Sequence, residues 1–338
     1  MMQSEDAVKA LFEKFKHLNI LIIGDVMIDA YIWGKVERIS PEAPVPVVLV
    51  NKKNNRLGGA ANVALNIKAL GANPILCSVV GDDEKAGTFT QMLESNEMFT
   101  GGILKSTHRT TTTKFRIIGN NVQMLRVDEE IETNLSDHDF EDFTRLLQRI
   151  LSENKIDGII FQDYDKGVIS PALIDAVNEM ASLKNIPISV DPKKRNFGYY
   201  QNLKLFKPNL KELREGLGLG FDKQDLANLR KAVQMIHEKQ NIEIVLATLS
   251  EEGVFISRRK EDQTYEDYHV PAHLRSIADV SGAGDTVVSV ASLCLALGLS
   301  LQEIAAFSNL AGGHVCESVG VVPVDRDKLY NEMISLNF

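Results

Sequence analysis

The amino-acid sequence predicts an α/β fold in which helices flank a doubly wound, mostly parallel β-sheet. Short apolar runs with the length of buried strands recur along the chain, and segments with helical spacing separate them. The predicted strands are residues 20–23, 75–80, 156–161, 186–190, 203–206 and 244–247. The predicted helices between them are residues 60–70, 84–94, 137–152, 171–183 and 223–240. Strands that alternate with helices are joined by crossover connections, which place the strands in parallel.

Both ends of the chain are predicted to be helical. Residues 4–18 carry apolar side chains at helical spacing among charges, which indicates an amphipathic helix packed on the domain rather than a signal peptide. From Gly282 onward the pattern is almost wholly helical, through residues 301–317 and 326–336. No segment approaches the ~18 uninterrupted apolar residues that a membrane span needs, so we expect no membrane segment.

Composition limits the classes of function. The 338 residues are 44% hydrophobic, which is enough for one large domain or for a domain with a small appendage, and we predict a single domain over residues 1–338. The formal net charge is −9 and no basic stretch exceeds three residues, so nucleic-acid binding has little electrostatic support. Cys77, Cys294 and Cys316 each lie in an apolar stretch, which indicates buried, reduced thiols in a cytoplasmic protein.

Two segments interrupt the alternation of strands and helices. Residues 31–50 contain three prolines ahead of a short apolar run. Residues 110–118 and 122–127 flank Gly-Asn-Asn, which is a turn signal for a β-hairpin. The sequence therefore predicts a small separate sheet whose strands are inserted at about residues 31–50 and 101–128.

The octapeptide Asp-Val-Ser-Gly-Ala-Gly-Asp-Thr at residues 279–286 directly precedes an apolar run that predicts a buried helix. Gly282, Ala283 and Gly284 leave backbone N–H groups uncovered at the helix start, where unpaired donors and the helix dipole favour a phosphate. Asp285 stands beside that phosphate, in the place of a base that takes a proton from an attacking hydroxyl. A simple turn and helix cap is the structural alternative. The pattern indicates a kinase.

With Gly-Asp at residues 24–25, Gly-Gly-Ala-Ala-Asn at 58–62 and Asn-x-x-Glu at 209–212, this octapeptide resembles the ribokinase-like (PfkB) family of carbohydrate kinases. The resemblance extends from residue 20 to about residue 327. It implies ATP as co-substrate, Mg²⁺ as cofactor, and an inserted sheet that serves as a lid over the sugar and as the contact of a homodimer. Whether K⁺ is also required stays open.

Carboxylates and amides at strand ends and helix starts accept or donate hydrogen bonds to sugar hydroxyls, and glycines let a ligand approach the backbone. The sugar-site candidates are Asp25, Asp29, Gly58, Gly59, Asn62, Asp163 and Lys166. Each also has a structural explanation as part of a turn or helix entry.

The nucleotide-site candidates are Lys193, Asn209, Glu212, Thr248, Ser250 and Gly253. The resemblance implies that Glu212 organises Mg²⁺ through water, although Asn209 and Glu212 also form a complete capping box. Ser250 replaces a glycine of the family pattern, and serine tolerates positive φ less well.

Within the family, the runs at residues 24–29, 38–47 and 58–64 resemble the D-glycero-β-D-manno-heptose 7-phosphate kinases. This implies transfer of phosphate to O1, which gives the 1,7-bisphosphate for ADP-heptose synthesis. The 7-phosphate requires its own cationic receptor. Arginine is well suited to this role because it pairs bidentately with phosphate. The candidates are Arg38, Lys114, Arg116 and Arg126.

Two other functions stay open. The first is a ribokinase-like enzyme for ribose, fructose or a fructose phosphate, and the second is a catalytically silent sugar-binding regulator. The sequence contains no His-x-Gly-His segment of a nucleotidyltransferase, so we expect a separate enzyme for the downstream adenylyl transfer.

Overall fold

Two β-sheets of unequal size organise the chain, which a computed structural model describes from residue 5 to residue 336. The strands, in chain order, are β1 (Asn19–Gly24), β2 (Val26–Ile39), β3 (Pro46–Gly59), β4 (Asn73–Gly81), β5 (Ile103–Ser106), β6 (Thr113–Gly119), β7 (Val122–Glu129), β8 (Gly158–Gln162), β9 (Ile188–Asp191), β10 (Leu205–Phe206), β11 (Ile244–Thr248), β12 (Val254–Arg259) and β13 (Tyr265–Val270). The helices are α1 (Glu5–Phe15), α2 (Ala60–Ala69), α3 (Glu84–Ser95), α4 (Asp137–Glu153), α5 (Pro171–Ser182), α6 (Leu210–Leu217), α7 (Leu226–Gln240), α8 (Ala283–Ala296), α9 (Leu301–Val315) and α10 (Arg326–Ser335).

The large sheet runs in the order β13-β12-β11-β10-β9-β8-β1-β4-β5. The seven strands from β11 to β5 in this list pair in parallel. Strands β12 and β13 are antiparallel and form one edge of the sheet. The order changes direction beside β1, with β8 on one side and β4 on the other. Ligand crevices of doubly wound sheets open at the carboxyl ends of strands near such a reversal.

A hydrophobic core covers each face of the large sheet. Ile20 and Ile22 of β1 belong to a core shared with α1, α2, α3, α8, α9 and α10, whereas Leu21 and Ile23 belong to a core shared with α4, α5, α6 and α7. Side chains along a strand alternate between the two faces. The continuous apolar run of β1 therefore reflects burial on both sides, as in the predicted parallel sheet.

The small sheet has the order β3-β2-β6-β7. Strands β2 and β3 form an antiparallel ribbon, β6 joins β2 in parallel, and β7 returns antiparallel to β6. The turn between β6 and β7 places Asn120 and Asn121 at φ of 51° and 65°, the left-handed region that such hairpin turns require. The predicted Gly-Asn-Asn hairpin is confirmed.

The doubly wound α/β fold with a small separate sheet is confirmed, but several boundaries differ from the prediction. The small sheet begins at Val26 rather than near residue 31, and β3 continues to Gly59 rather than ending at residue 50. Strand β5 pairs with β4, so residues 103–106 lie in the large sheet and not in the second insertion. Strands β12 and β13 were not predicted. Strand β13 is a polar edge strand without alternation of apolar residues. The predicted N-terminal helix is α1, and Ser4 lies outside the described residues.

Among residues 5–336, every helix is too short or too polar to cross a lipid bilayer.

Candidate active site

A cleft of about 640 Å³ opens at the carboxyl ends of the parallel strands, where β9, β10 and β11 meet the start of α8. It is lined by residues from several strand-end loops, among them Asp191, Lys207, Asn209, Thr248, Gly282 and Asp285. A wider open depression of about 1600 Å³ lies at the other end of the strands, near residues 186–188 and 241–243. Within the described chain, none of the predicted site residues lines that depression, whereas all of the predicted nucleotide-site residues line the cleft.

The predicted phosphate cradle has the backbone conformation of an open helix start. Gly282 adopts φ 83° directly before α8, and a Cβ atom there would lie 3.1 Å from Asn62 Nδ2. A Cβ atom on Gly284 would lie 3.4 Å from Lys207 Nζ. The amides of Gly284 and Asp285 have no backbone acceptor among residues 5–336. The two glycines therefore admit close packing while unpaired N–H groups remain at the positive end of the helix dipole.

Asp285 is buried at the floor of this cleft and accepts hydrogen bonds from three side chains. Asn62 Nδ2 donates to Oδ2 over 2.7 Å, while Gln162 Nε2 and the Tyr164 hydroxyl donate to Oδ1 over 3.0 Å and 2.8 Å. Burial raises the pKa of Asp285 to about 6; the Asp191 carboxylate adds to this rise, and the hydrogen bonds from Asn62 and Tyr164 oppose it. A carboxylate with a pKa near the operating pH is suited to accept a proton.

The residues around Asp285 leave acceptor atoms unpaired. Asn62 Oδ1, Gln162 Oε1 and Asp191 Oδ1 are buried and have no hydrogen-bond partner within residues 5–336. Buried oxygens of this kind are costly unless a ligand, a water or an ion completes them. The cluster is therefore complementary to a hydroxyl-rich molecule or to a hydrated cation.

Lys207 was not selected from the sequence, although it is almost completely buried beside the cradle. Its ammonium forms an ion pair with Asp191 Oδ2 at 3.1 Å, and the side chains are 2% and 6% exposed. Gln162 Nε2 also lies 3.3 Å from Asp191 Oδ2, so one amide contacts both Asp191 and Asp285. A buried lysine ammonium beneath an open phosphate cradle supplies positive charge that water does not screen.

Asn209 and Glu212 form the predicted capping box at the start of α6. Asn209 Oδ1 accepts from the Glu212 amide and Glu212 Oε2 accepts from the Asn209 amide, both over 2.8 Å. Glu212 Oε1 is paired with the Lys193 ammonium. The structural explanation is confirmed, and all three side chains also line the cleft.

The oxygen atoms of this part of the cleft fit a hydrated Mg²⁺. Asp191 Oδ1 is unpartnered among the described residues, and the Glu212 carboxylate lines the same cleft. Mg²⁺ prefers oxygen ligands and usually keeps several of its waters, so one or two carboxylates at the cleft wall are sufficient. The described residues contain no group of three or more His, Cys, Asp or Glu side chains arranged as a dedicated metal cage.

Thr248, Ser250 and Gly253 lie at the end of β11 and in the turn before β12, at the mouth of the cleft. Ser250 adopts φ 55° and Gly253 adopts φ 86°. Ser250 thus adopts the left-handed conformation that a glycine would adopt easily, and this conformation is strained for serine. The departure from the family pattern leaves the backbone of this turn positioned along the cleft.

Asp25 is buried and holds the loop after β8. Its carboxylate accepts from the backbone amides of Tyr164, Lys166 and Val168 over 2.9, 3.1 and 3.0 Å. Burial raises the pKa of Asp25, and these three backbone hydrogen bonds oppose the rise. Asp163, in the same loop, accepts from Asn196 Nδ2 and from the Tyr200 hydroxyl in the core. The Asp165 amide also donates to Asp163 over 2.8 Å, so both carboxylates fix the backbone of this loop.

Asp29 lies at the base of the small sheet and is paired with the Arg116 guanidinium. A Cβ atom on Gly58 would lie 2.7 Å from Asp29 Oδ2, and one on Gly59, at φ 62°, would lie 2.3 Å from the Asp25 carbonyl oxygen. Gly58 and Gly59 are therefore required for the packing of β3 against β2, and they place Asn62 in the first turn of α2.

The other predicted cations lie at different places on the small sheet or in the loop after β8. Lys114 pairs with Asp128 and Glu130, and Lys166 pairs with Glu130 and Glu132, which links the small sheet to the loop after β8. Arg126 pairs with Asp128 and is 55% exposed. Arg38 is exposed towards the far end of β2. The structure brings Arg116 against Asp29, whereas Arg38 and Arg126 lie on the surface.

Gln162 and Tyr164 also contact Asp285, although they are not among the residues predicted for the site. Gln162 is the last residue of β8, and Tyr164 follows two residues later. The rule that the carboxyl ends of parallel strands face the ligand crevice could have selected Gln162. The sequence carries no comparable signal for Lys207, because a lysine before Pro208 is indistinguishable from a solvated one.

The open helix start, the buried carboxylate and the strand-end cleft define a phosphoryl-transfer type of site. The chain belongs to the pfkB family of carbohydrate kinases, whose sequence pattern matches residues 17–327.

Curated relatives are similar over most of this chain. It is 40% identical over 304 residues to the bifunctional protein HldE of Helicobacter pylori strain HPAG1, which corresponds to 89% of this chain and 63% of the relative. It is 36% identical over 328 residues to the bifunctional protein HldE of Desulfatibacillum aliphaticivorans, which corresponds to 97% of this chain and 65% of the relative. The chain thus spans less than two thirds of the length of these relatives.

Solved structures share the fold. Phosphofructokinase-2 from Escherichia coli, in a complex with potassium, superposes with a TM-score of 0.74 at 19% identity and covers 95% of this chain and 99% of its own. Ribokinase from Arabidopsis thaliana, complexed with ribose and ATP, gives a TM-score of 0.69 at 15% identity, with 93% and 98% coverage. At these identities the likeness establishes the ribokinase-like fold.

Proposed function

We propose that this carbohydrate kinase transfers the γ-phosphoryl group of ATP to O1 of D-glycero-β-D-manno-heptose 7-phosphate and releases the 1,7-bisphosphate. The main supporting observation is Asp285, a buried carboxylate held by three side-chain donors directly beside an open cradle of backbone amides. The choice of sugar is supported by the similarity to the HldE proteins over 89% of this chain.

In the proposed mechanism, Asp285 accepts the proton of the anomeric hydroxyl as the oxygen attacks phosphorus. Asn62, Gln162 and Tyr164 hold the carboxylate in one orientation, so that little reorganisation accompanies the reaction. The amides of Gly284 and Asp285 and the Lys207 ammonium face the transferring group, where they stabilise its developing negative charge. Asp191 holds Lys207 in place at 3.1 Å.

Glu212 and Asp191 are the residues that we propose for Mg²⁺, mainly through its water shell. When bound, the ion supplies charge neutralisation for the ATP phosphates. Lys193 is held by Glu212 at the wall of the cleft, and Thr248, Ser250 and Gly253 border the nucleotide on the other side.

For the distal phosphate of the acceptor, we propose Arg116 as the main receptor. It is the one predicted cation within the described chain that contacts Asp29, and Asp29 adjoins Gly58 and the start of α2. Lys114 lies two residues away on the same face of β6 and is held by Asp128 and Glu130. A planar guanidinium suits bidentate binding of phosphate.

The homodimer is also a proposal. The small sheet exposes Ile39, Leu49, Val122 and Leu125, which are 68%, 67%, 62% and 55% exposed. Apolar side chains concentrated on one small sheet mark an interaction surface, and a second copy of the chain covers it symmetrically. Sedimentation of the protein should give a dimer, and a Leu49→Glu, Leu125→Glu variant should sediment as a monomer. A wild-type monomer at micromolar concentration would contradict this proposal.

We place the reaction in the cytoplasm, which supplies ATP and keeps the buried cysteines reduced. A phosphate on the anomeric oxygen is an acceptor for nucleotidyl transfer, so a nucleotidyltransferase is the expected consumer of the product.

The experiment that tests the function is ADP release in a coupled assay with Mg²⁺, ATP and three acceptors. We expect the highest kcat/KM with heptose 7-phosphate, lower values with fructose 6-phosphate and ribose, and phosphorus NMR should show a new anomeric phosphate. A higher kcat/KM with either of the other sugars would reassign the substrate. ATP binding without ADP release from any acceptor would favour the sugar-binding regulator.

A further inference from the structure

Arg56 connects the small sheet to a loop that is more than 260 residues away in sequence. It lies on β3, and its Nη1 donates to the carbonyl oxygens of Val319 and Val321 over 3.2 Å and 3.1 Å. Both carbonyls belong to the loop between α9 and α10. One guanidinium thus bridges two backbone acceptors, which is a geometry that its planar arrangement of donors favours.

The same loop supports the phosphate cradle. The Gly320 amide donates to Asp279 Oδ2 over 2.9 Å, and Asp279 Oδ1 accepts from the amide and the hydroxyl of Ser281 over 3.0 Å and 2.8 Å. The Val321 side chain lies 3.5 Å from the position that a Cβ atom on Gly282 would occupy. A displacement of residues 319–321 therefore reaches the start of α8 through hydrogen bonds and direct packing.

At its other end, Arg56 contacts the part of the small sheet that holds Arg116. Arg56 lies opposite Asp29 in the β2–β3 ladder, and its guanidinium lies over the Tyr31 ring, 4.9 Å from the centroid. The Arg116 guanidinium lies over the same ring at 5.3 Å and pairs with Asp29. Both arginines therefore depend on the position of one aromatic ring.

The small sheet and the loop between α9 and α10 are in close contact at Gly320. Gly320 adopts φ 75°, and a Cβ atom there would lie 2.5 Å from Arg56 Nη1 and 3.0 Å from the Tyr31 hydroxyl. The positive φ favours glycine, and a larger residue would displace the ends of the Arg56 and Tyr31 side chains. Closely packed contacts transmit small displacements, because no free volume absorbs them.

We propose that Arg56 is a positioning residue that couples occupancy of the acceptor site on the small sheet to the geometry of the phosphate cradle. An acceptor phosphate on Arg116 changes the charge beside Tyr31 and Asp29, and the displacement passes through Arg56, residues 319–321 and Asp279 to Gly282. The two ligands then bind cooperatively. The identity of these ligands rests on the proposed function.

The test is calorimetric titration with the non-hydrolysable ATP analogue AMP-PNP and Mg²⁺, with and without saturating heptose 7-phosphate. For the wild type we expect the acceptor to lower the Kd of the analogue by about fivefold or more, the usual range of coupling between two sites. Arg56→Gln should remove most of this factor, and its affinity for the analogue alone should fall less than its affinity in the presence of acceptor.

Lys52→Gln is the matched control. Lys52 lies on the same strand, and its ammonium is 5.2 Å from the centroid of the Trp33 ring, which stacks on Tyr31. It donates no hydrogen bond to residues 319–321 in the described chain, so the variant should keep the wild-type coupling. Arg56→Lys keeps the charge but replaces the planar guanidinium with a compact ammonium, and its coupling factor should fall between those of Arg56→Gln and the wild type.

Amide hydrogen exchange provides a second measurement that needs no ligand. In Arg56→Gln, peptides over residues 279–284 and 316–322 should exchange faster than in Lys52→Gln, while peptides of β1 and β8 should be unchanged. Independent binding of the two ligands by the wild type, or a wild-type coupling factor in Arg56→Gln, would overturn the proposal. If the coupled assay identifies another acceptor, that sugar replaces heptose 7-phosphate in the titration; the substrate assignment then fails while the coupling is still decided.

Discussion

Two buried carboxylates, Asp25 at the end of β1 and Asp285 at the start of α8, differ in what surrounds them. Each accepts three hydrogen bonds, but Asp25 takes them from the backbone amides of one loop and Asp285 takes them from three side chains, one in α2 and two at the end of β8. Backbone donors are part of the fold, so a carboxylate that binds them fixes a loop. Side-chain donors orient a carboxylate that lines a cleft, so that it can react with a ligand.

The two carboxylates are also connected through one loop. The loop that Asp25 holds contains Tyr164, whose hydroxyl donates to Asp285 over 2.8 Å. The structural carboxylate therefore positions one of the groups that orient the proposed base. The following experiments test whether this division of roles is correct.

The largest effect is expected from Asp285→Asn. The amide cannot accept the proton of the acceptor hydroxyl, so kcat should fall by at least ~10²-fold, as expected for loss of a general base. Initial rates at saturating ATP and sugar measure this change. ATP affinity should remain within a few fold of wild type, and turnover at the wild-type rate would exclude Asp285 as the base.

Asp285→Asn should also change the pH dependence of stability. The raised pKa of about 6, against 3.8 for an ordinary Asp, means that the contribution of Asp285 to folding is fully present below about pH 4 and is lost as the pH rises through 6. Denaturant unfolding between pH 4 and 8 should therefore show a fall in the wild type that is larger than in Asp285→Asn by about 2–3 kcal/mol. Parallel curves for the two proteins would contradict the burial of a charged Asp285.

Arg116→Gln should affect acceptor binding rather than the chemical step. Loss of a charged hydrogen bond worth about 1.5–3 kcal/mol raises the KM for heptose 7-phosphate roughly tenfold or more, with kcat largely retained. Arg116→Lys should keep part of the affinity, and Lys52→Gln serves as the control on the same sheet. An unchanged KM would move the phosphate receptor to another cation of the small sheet.

Asp25→Asn should lower stability more than it lowers catalysis. The neutral amide offers a single acceptor oxygen to the three loop amides, and a buried amide left unpaired costs about 1–3 kcal/mol. Urea unfolding at pH 7.5 measures the loss, and kcat per folded molecule should exceed that of Asp285→Asn. If turnover is abolished while stability is unchanged, Asp25 contacts the sugar directly and the comparison between the two carboxylates is wrong.

The smallest effect is expected from Tyr164→Phe. The hydroxyl stabilises the charged carboxylate, so its removal should raise the pKa of Asp285, by less than about one unit for a hydrogen bond of about 0.5–1.5 kcal/mol. In the wild type, kcat should increase as the pH rises through about 6. The pH profile of the variant should be displaced to higher pH, and an unmoved profile would show that Tyr164 does not orient the base.

The fold was predictable where burial leaves a pattern in the sequence. The apolar run of β1 is buried on both faces, and the alternation of such runs with helices indicated the parallel sheet. Strand β13 was missed because a polar edge strand carries no such pattern, whereas β10 was predicted at residues 203–206 and spans only the last two of them. The start of β2 was placed too late. Its first residues are buried like those of β1, so the hydrophobic pattern does not mark where the second strand begins.

The candidate site was predictable where backbone geometry restricts the residue type. Gly282 and Gly59 both adopt positive φ, and both belong to motifs that were selected from the sequence. Gln162, Tyr164 and Lys207 carry no conformational restriction, and their importance depends on distant partners such as Asp285 and Asp191. Such tertiary pairing cannot be deduced from the order of residues alone.

The burial of the Lys207–Asp191 pair has a consequence for the response to ionic strength. Its side chains are only 2% and 6% exposed, so mobile counterions cannot approach them, whereas the side chains that pair Lys114 and Lys166 with Asp128 and Glu130 are 13–20% exposed. At physiological salt the Debye length is about 8 Å, and accessible charges are the ones that it attenuates. Added potassium chloride or sodium chloride should therefore weaken the ion pairs of Lys114 and Lys166 at lower concentrations than it weakens the Lys207–Asp191 pair.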